Sequence, residues 1–157
     1  MKRDPALVSL SHDHHHALVA ASALTKASAA TCAAALAGLQ AYWIDDGQAH
    51  FRAEEEILFP AFAAHGDAHD PLLARALCDH VAIRQRIQAI DAHPTGELTD
   101  LHELGCLIQG HVRFEERTLF PLIEAALSAG ELEAVAAALA AGTTNSRAPM
   151  APSQTLR

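Results

Sequence analysis

Residues that build β-sheets are scarce in this chain. Aromatic residues make up 4% of it. Val, Ile and Thr never alternate with polar residues over a stretch long enough for a half-buried strand, so a sheet is not expected. Basic clusters are also missing: the formal charge is -8, and no run of Lys or Arg supplies the concentrated positive charge that phosphate backbones or anionic membranes require. No segment approaches the roughly 20 strongly apolar residues of a membrane span. The opening MKRDPALVSLSHDHHH has two basic residues but no apolar run behind them, so it does not read as a signal peptide. A soluble, cytoplasmic protein without nucleic-acid or membrane partners is the expectation. The three cysteines, Cys32, Cys78 and Cys106, form no CxxC pair and are read as reduced thiols.

Alanine and histidine are plentiful. Half the residues are hydrophobic, and a large share of these are Ala, which favours helix while offering little hydrocarbon to bury. An all-α single domain is expected for 157 residues. The eleven histidines equal Lys and Arg combined, an excess that needs a cause.

Two segments nearly repeat each other, HFRAEEEILFP at 50–60 and HVRFEERTLFP at 111–121. Both read His, three residues, Glu-Glu, two residues, Leu-Phe-Pro. Each follows a helical segment carrying an acidic residue and then His, Asp13-His14 and Asp79-His80, so a helix pair is used twice. Breakers divide the chain into four main helices. The first begins near Ser9 or Ser11 and runs to about Ser28; the second runs from a turn near Thr31 to about Ala64. Asp70-Pro71 opens the third, with Asp as cap and Pro at the first helical position. The turn at Pro94-Thr95-Gly96 separates it from the fourth, which reaches about Leu127. Ser128 and Glu131 resemble a capping box for a short fifth helix over 129–141. Residues 1–141 are thus read as a bundle and 142–157 as a disordered tail. Pro60 and Pro121 should kink or end their helices, because each removes a backbone donor.

Spacings of three and four place one His on the apolar seam of every main helix. The fourth gives Leu101, Leu104, Ile108, His111, Glu115, Leu119 and Leu122, and the second gives His50, Glu54, Ile57 and Ala61. The third gives Leu73, Leu77, His80 and Ile83, and the first gives Leu10, His14 and Leu18. Counting from the turns puts the four histidines at one level: His14 and His50 are equidistant from residue 32, and His80 and His111 lie at similar distances from the 94–96 turn. A buried carboxylate without a partner costs several kcal/mol or loses its charge, so two inward glutamates beside four imidazoles call for a metal. Six ligands exceed one tetrahedral zinc site. They suit two metals, each with two imidazoles, bridged by both carboxylates; imidazole with carboxylate suits iron, and the ligand types also allow manganese or zinc. Glu55 and Glu116 fall off the seam and are read as solvated or as groups that hold ligand histidines from behind, the solvated reading being favoured. Asp13 and Asp79 are read as surface residues.

These elements resemble the hemerythrin-like family, with its His-His-Glu motif, through LSHDHHHAL, HFRAEEEILFP, LCDHVAIR and HVRFEERTLFP, which together lie within residues 7–127. The resemblance implies an antiparallel up-down four-helix bundle, here with a short fifth helix. It implies the metal ligands His14, His50, Glu54, His80, His111 and Glu115. It also implies two iron ions in an oxo- or hydroxo-bridged centre that binds or senses O2, NO or reactive oxygen species. Ferritin-like di-iron proteins use ExxH instead, and no ExxH occurs here. Oxygen-carrying relatives have a further His one turn from the third-helix ligand, where this chain has Ala76 and Arg84. His15 is the candidate for a replacement fifth imidazole. Within the family, the alternatives are a di-iron oxidoreductase acting on peroxide or NO and an iron donor in iron–sulfur cluster repair. The partners implied are a small gas or peroxide ligand and a redox protein.

Overall fold

The computed structural model describes residues 3–92 and 98–146, and among these it is helical without strands. A 3-10 turn, Pro5–Leu7, leads into α1, Val8–Thr25. Helix α2 covers residues 32–63, α3 is Pro71–Ala92, α4 covers 98–126 and α5 is Ala129–Ser146. The expected all-helical class and the five helices are present. The fifth helix continues beyond residue 141, while the turn at 94–96 and the tail after Ser146 lie outside the described residues.

The cap lies upstream of the serines that the sequence suggested, on the 3-10 turn that leads into α1, and α1 itself has no side-chain cap. Asp4 Oδ1 accepts from the Ala6 N–H at 2.9 Å, with Pro5 next in line. Asp70 does the same for α3, accepting from Leu72 and Leu73. Both starts use an Asp-Pro pair, where proline's missing N–H falls on a helical position that has no partner for one anyway. Ser9 and Ser11 lie inside α1. At α5, the Glu131 carboxylate accepts from both the backbone N–H and the hydroxyl of Ser128, so the capping contact forms.

Neither Pro60 nor Pro121 ends its helix. Instead α2 and α4 widen into π turns just before them, at Glu54–Leu58 and Glu115–Leu119, with Phe59 N–H donating to Glu54 O and Phe120 N–H to Glu115 O. A proline ring collides with the carbonyl four residues earlier, and a turn of wider spacing relieves that collision while keeping the helix intact. One residue is thereby inserted into the turn, and the buried seam advances by one. Leu58 and Phe62 are buried in place of the expected Ile57 and Ala61, and Ile123 is buried where Leu122 was expected. A third π turn, Trp43–Gly47, precedes His50.

Helix α1 packs chiefly on α4 and also on α2, while α3 packs on α4. The α1–α4 approach is close where Ala21 and Leu24 face Gly105, whose added Cβ would lie 2.8 Å from the Ala21 carbonyl oxygen. Two apolar clusters fill the interior. One gathers Leu10, Phe59, Leu73, Phe120 and the α5 residues Val135 and Leu139. The other gathers Leu24, Leu39, Ile87, Leu104 and Ile108. Along each main helix, the site residues fall between members of these two clusters.

Candidate metal centre

Six polar or charged side chains are buried among the described residues: His14, His50, Glu54, His80, His111 and Glu115. They are the six that helical spacing selected, and the structure brings them together. Each exposes at most 3% of its surface, and both glutamates expose none. Helix α1 supplies His14 and α3 supplies His80. The pairs His50/Glu54 and His111/Glu115 come from α2 and α4, one turn apart on the same face.

The imidazoles present Nε2 to the carboxylates. His14 Nε2 lies 3.1 Å from Glu115 Oε2, and His111 Nε2 lies 3.2 Å from the same oxygen. Glu54 spans the centre, with Oε1 3.4 Å from His50 Nε2 and Oε2 3.2 Å from His80 Nε2. Two overlapping groups result, His14/His50/Glu54/Glu115 and Glu54/His80/His111/Glu115, each with one ligand atom per residue lying within 4.8 Å of the others. Both contain both glutamates.

None of these atoms has a hydrogen-bond partner. All four Nε2 atoms and all four carboxylate oxygens are buried and unsatisfied. Such groups usually cost about 1–3 kcal/mol each when left unpaired, more when charged. A cluster of eight facing one another is the arrangement that cations satisfy and that a solvated helix face does not produce. The donor set fits the group that it implies: neutral imidazole nitrogens and carboxylate oxygens suit first-row transition metals.

The outer nitrogens are also directed. Glu116 Oε1 lies 2.7 Å from His14 Nδ1, and Glu55 Oε1 lies 2.7 Å from His80 Nδ1. An ionised carboxylate can only accept, so Nδ1 carries the hydrogen and, in the neutral ring, the Nε2 lone pair faces inward. Of the two readings of Glu55 and Glu116, the favoured solvated one gives way to the other: they hold histidines of the layer through Nδ1. A side chain turned aside from its own helix's seam points at the flanking helix, and both reach a neighbouring helix's histidine. Asp13 and Asp79 repeat the relation more loosely, at 3.5 Å from His50 Nδ1 and 3.7 Å from His111 Nδ1, too long for hydrogen bonds. They flank the centre from outside it.

His15 does not reach the site. It is exposed, and its neighbour His16 pairs with Asp46 at the surface. Arg84, which stands one turn beyond His80, points away to Glu55. The centre thus has four imidazoles among the described residues.

Electrostatics follow from the burial. Desolvation, the facing Glu115 and then Glu55 raise the Glu54 carboxyl well above its ordinary range, so without a cation its charge is disfavoured. Burial also acts to lower His14, but the facing Glu115 carboxylate and the bond to Glu116 outweigh it and hold the ring up at about 9. For His80, burial and then the nearby His111 and His50 push the ring well below its usual value; His50 is lowered chiefly by burial. Glu116 is held down at about 2, burial being overcome by hydrogen bonds from His14, Ser11 and Arg3. Protons therefore occupy the centre of the metal-free chain and must leave for a cation to enter.

Among known proteins, the family description that matches is the hemerythrin HHE cation binding domain, over residues 6–123. No curated protein and no solved structure matches the chain.

Proposed function

Since this chain belongs to the hemerythrin HHE cation-binding family, we propose that its buried layer holds two iron ions and that the pair binds or senses O2, NO or reactive oxygen species. The observation carrying the proposal is the set of eight unsatisfied atoms, four Nε2 and four carboxylate oxygens, sealed from water in one layer. His14 and His50 would hold one ion and His80 and His111 the other, with Glu54 and Glu115 shared between them. Iron bound there would supply redox and Lewis-acid chemistry toward a small diatomic or peroxide ligand.

The chain's own residues set the conditions for that chemistry. Glu116 and Glu55 orient His14 and His80 through Nδ1. Phe51 and Phe59 lie against His80 and Phe120 lies against His14, with ring centroids 3.8, 5.8 and 5.2 Å apart. An apolar wall of this kind admits small uncharged molecules and resists water and ions. Anaerobic loading with ferrous iron, followed by optical spectra under O2 and NO, tests the reading. About two irons per chain and spectra that respond to at least one gas are expected; spectra unchanged by both gases reject it.

One feature favours turnover as a second reading. Arg84 and the exposed His15 leave each ion with two imidazoles, fewer than an O2 carrier's full complement of five for the pair. A di-iron oxidoreductase acting on peroxide or NO would consume many equivalents per chain, whereas a binding protein would stop at a stoichiometric amount.

A further inference from the structure

We propose that Arg3 and Arg84 are the positioning residues of the two half-sites, each gripping both the carboxylate and the phenyl ring that fix one histidine. The inference rests on the metal reading above.

Arg84 forks onto Glu55, with Nη1 2.7 Å from Oε1 and Nη2 2.9 Å from Oε2. Its guanidinium carbon also stands 5.1 Å from the centre of the Phe51 ring. Glu55 bonds His80 Nδ1, and Phe51 stacks on the His80 ring with 11° between planes. One cation therefore meets both the Nδ1 acceptor of His80 and the nearer of the two rings stacked on it. Arg3 does the same for His14. Its Nη2 lies 2.6 Å from Glu116 Oε2, its guanidinium carbon lies 5.1 Å from the Phe120 centre, and Phe120 stacks on His14 at 19°. Ser11 and Glu124 complete that grip, the first donating to Glu116 Oε1 at 2.7 Å and the second accepting from Arg3 Nη1 at 3.0 Å.

The two arginines are not related by the internal repeat. Arg84 follows His80 by four residues on α3, and the matching position after His14 is Leu18. Arg3 instead comes from the segment ahead of α1. The rings repeat only in part: Phe120 on His14 corresponds to Phe59, which stacks on His80 at 5.8 Å, whereas Phe51, the ring that Arg84 meets, corresponds to Val112. Duplication accounts for the two glutamates, which occupy equivalent positions, but not for two arginines drawn from different ones. The shared demand is a histidine held in both ring plane and Nδ1 partner, which a metal ligand requires and a merely packed histidine does not.

Without its arginine, each glutamate loses its anchor. Glu55 and Glu116 side chains keep 24% and 29% of their surface exposed, so they can swing into solvent. Their histidines then lose the Nδ1 acceptor, and the buried Phe51 and Phe120 lose the cation that meets their rings. The planar fork matters as well as the charge, because a lysine cannot bond two carboxylate oxygens while lying over an aromatic face.

Loss of ferrous iron from the anaerobically loaded full-length chain to excess 2,2′-bipyridine tests this, with circular dichroism of each metal-free variant as the folding control. Arg3→Met should speed release of one iron equivalent roughly tenfold or more, Arg84→Met should do so for one equivalent, and the double variant for both. Arg3→Lys and Arg84→Lys should fall between; they also decide the matter if a Met variant does not fold. Unchanged release in the single variants overturns the assignment. So does equal acceleration of both equivalents by either one, which would mark general loosening. A wild-type chain that takes up no iron rejects the metal reading itself, a result separable from either of these.

Discussion

Oε1 of Glu116 reaches from α4 to within 2.7 Å of Nδ1 of His14 on α1. The contact fixes which nitrogen of His14 faces the buried layer. Glu116→Gln keeps the shape but removes the charge that holds the imidazole N–H. Metal affinity should fall about 10- to 100-fold, as is usual when a ligand histidine loses its carboxylate. Glu55→Gln should do the same through His80. Competition titration against a chelator of known affinity measures both; affinity within a factor of two of wild type contradicts the role.

Glu54 gives a prediction of opposite signs. Desolvation and the facing Glu115 disfavour its charge in the metal-free chain, so Glu54→Leu should leave the metal-free fold as stable as wild type, or more stable by about 1–4 kcal/mol. The same change should abolish most of the stabilisation added by iron. Calorimetry with and without iron separates the two effects. A metal-free variant that melts well below wild type would show that Glu54 supports the fold by itself.

The pH dependence follows from His14 and Glu54, both raised in the folded chain. A raised group stabilises fully below its unfolded value and loses that contribution as pH climbs through its folded value. For His14 the loss spans about 6.5 to 9. Metal-free stability should therefore decline across that range, while iron affinity rises as the centre sheds protons. His50 and His80, both lowered, act at the other end, where stability is lost as pH falls below 6.5. Chemical denaturation at pH 6, 7.5 and 9 in both metal states is the check. A flat metal-free curve between the last two values would contradict a proton-filled centre.

Gly105 sets the approach of α1 to α4. A Cβ there would meet Thr25 Cγ2 at 2.7 Å and the Ala21 carbonyl oxygen at 2.8 Å, and backbone does not yield easily. Gly105→Ala should cost about 1–3 kcal/mol as overpacking. Denaturant titration of the metal-free chain measures this, and an unchanged midpoint means that the helices can part without loss.

Much of the centre was legible because a helix converts sequence spacing into direction. His50/Glu54 and His111/Glu115 share a face at i, i+4, and the internal repeat announces that two such faces exist. Other features depend on neighbouring helices or on local widening, which periodicity does not register. For Glu55 solvent was favoured over a histidine partner because it leaves its own helix's seam, yet it turns toward His80 on α3. The π turns at Glu54–Leu58 and Glu115–Leu119 shift the seam by one residue, so Ile123 replaces Leu122 in the interior. Proline at positions 60 and 121 was a usable signal for these turns, read instead as a kink or stop. Asp4-Pro5 carried the same capping signature as Asp70-Pro71 and could have been found by analogy.

The most direct test is anomalous diffraction at the iron absorption edge from crystals of iron-loaded protein. Two peaks are predicted inside the bundle, one contacting Nε2 of His14 and His50, the other Nε2 of His80 and His111, with Glu54 and Glu115 between them. An interior without anomalous density in an iron-loaded crystal, or a single peak bound by other residues, would contradict the account.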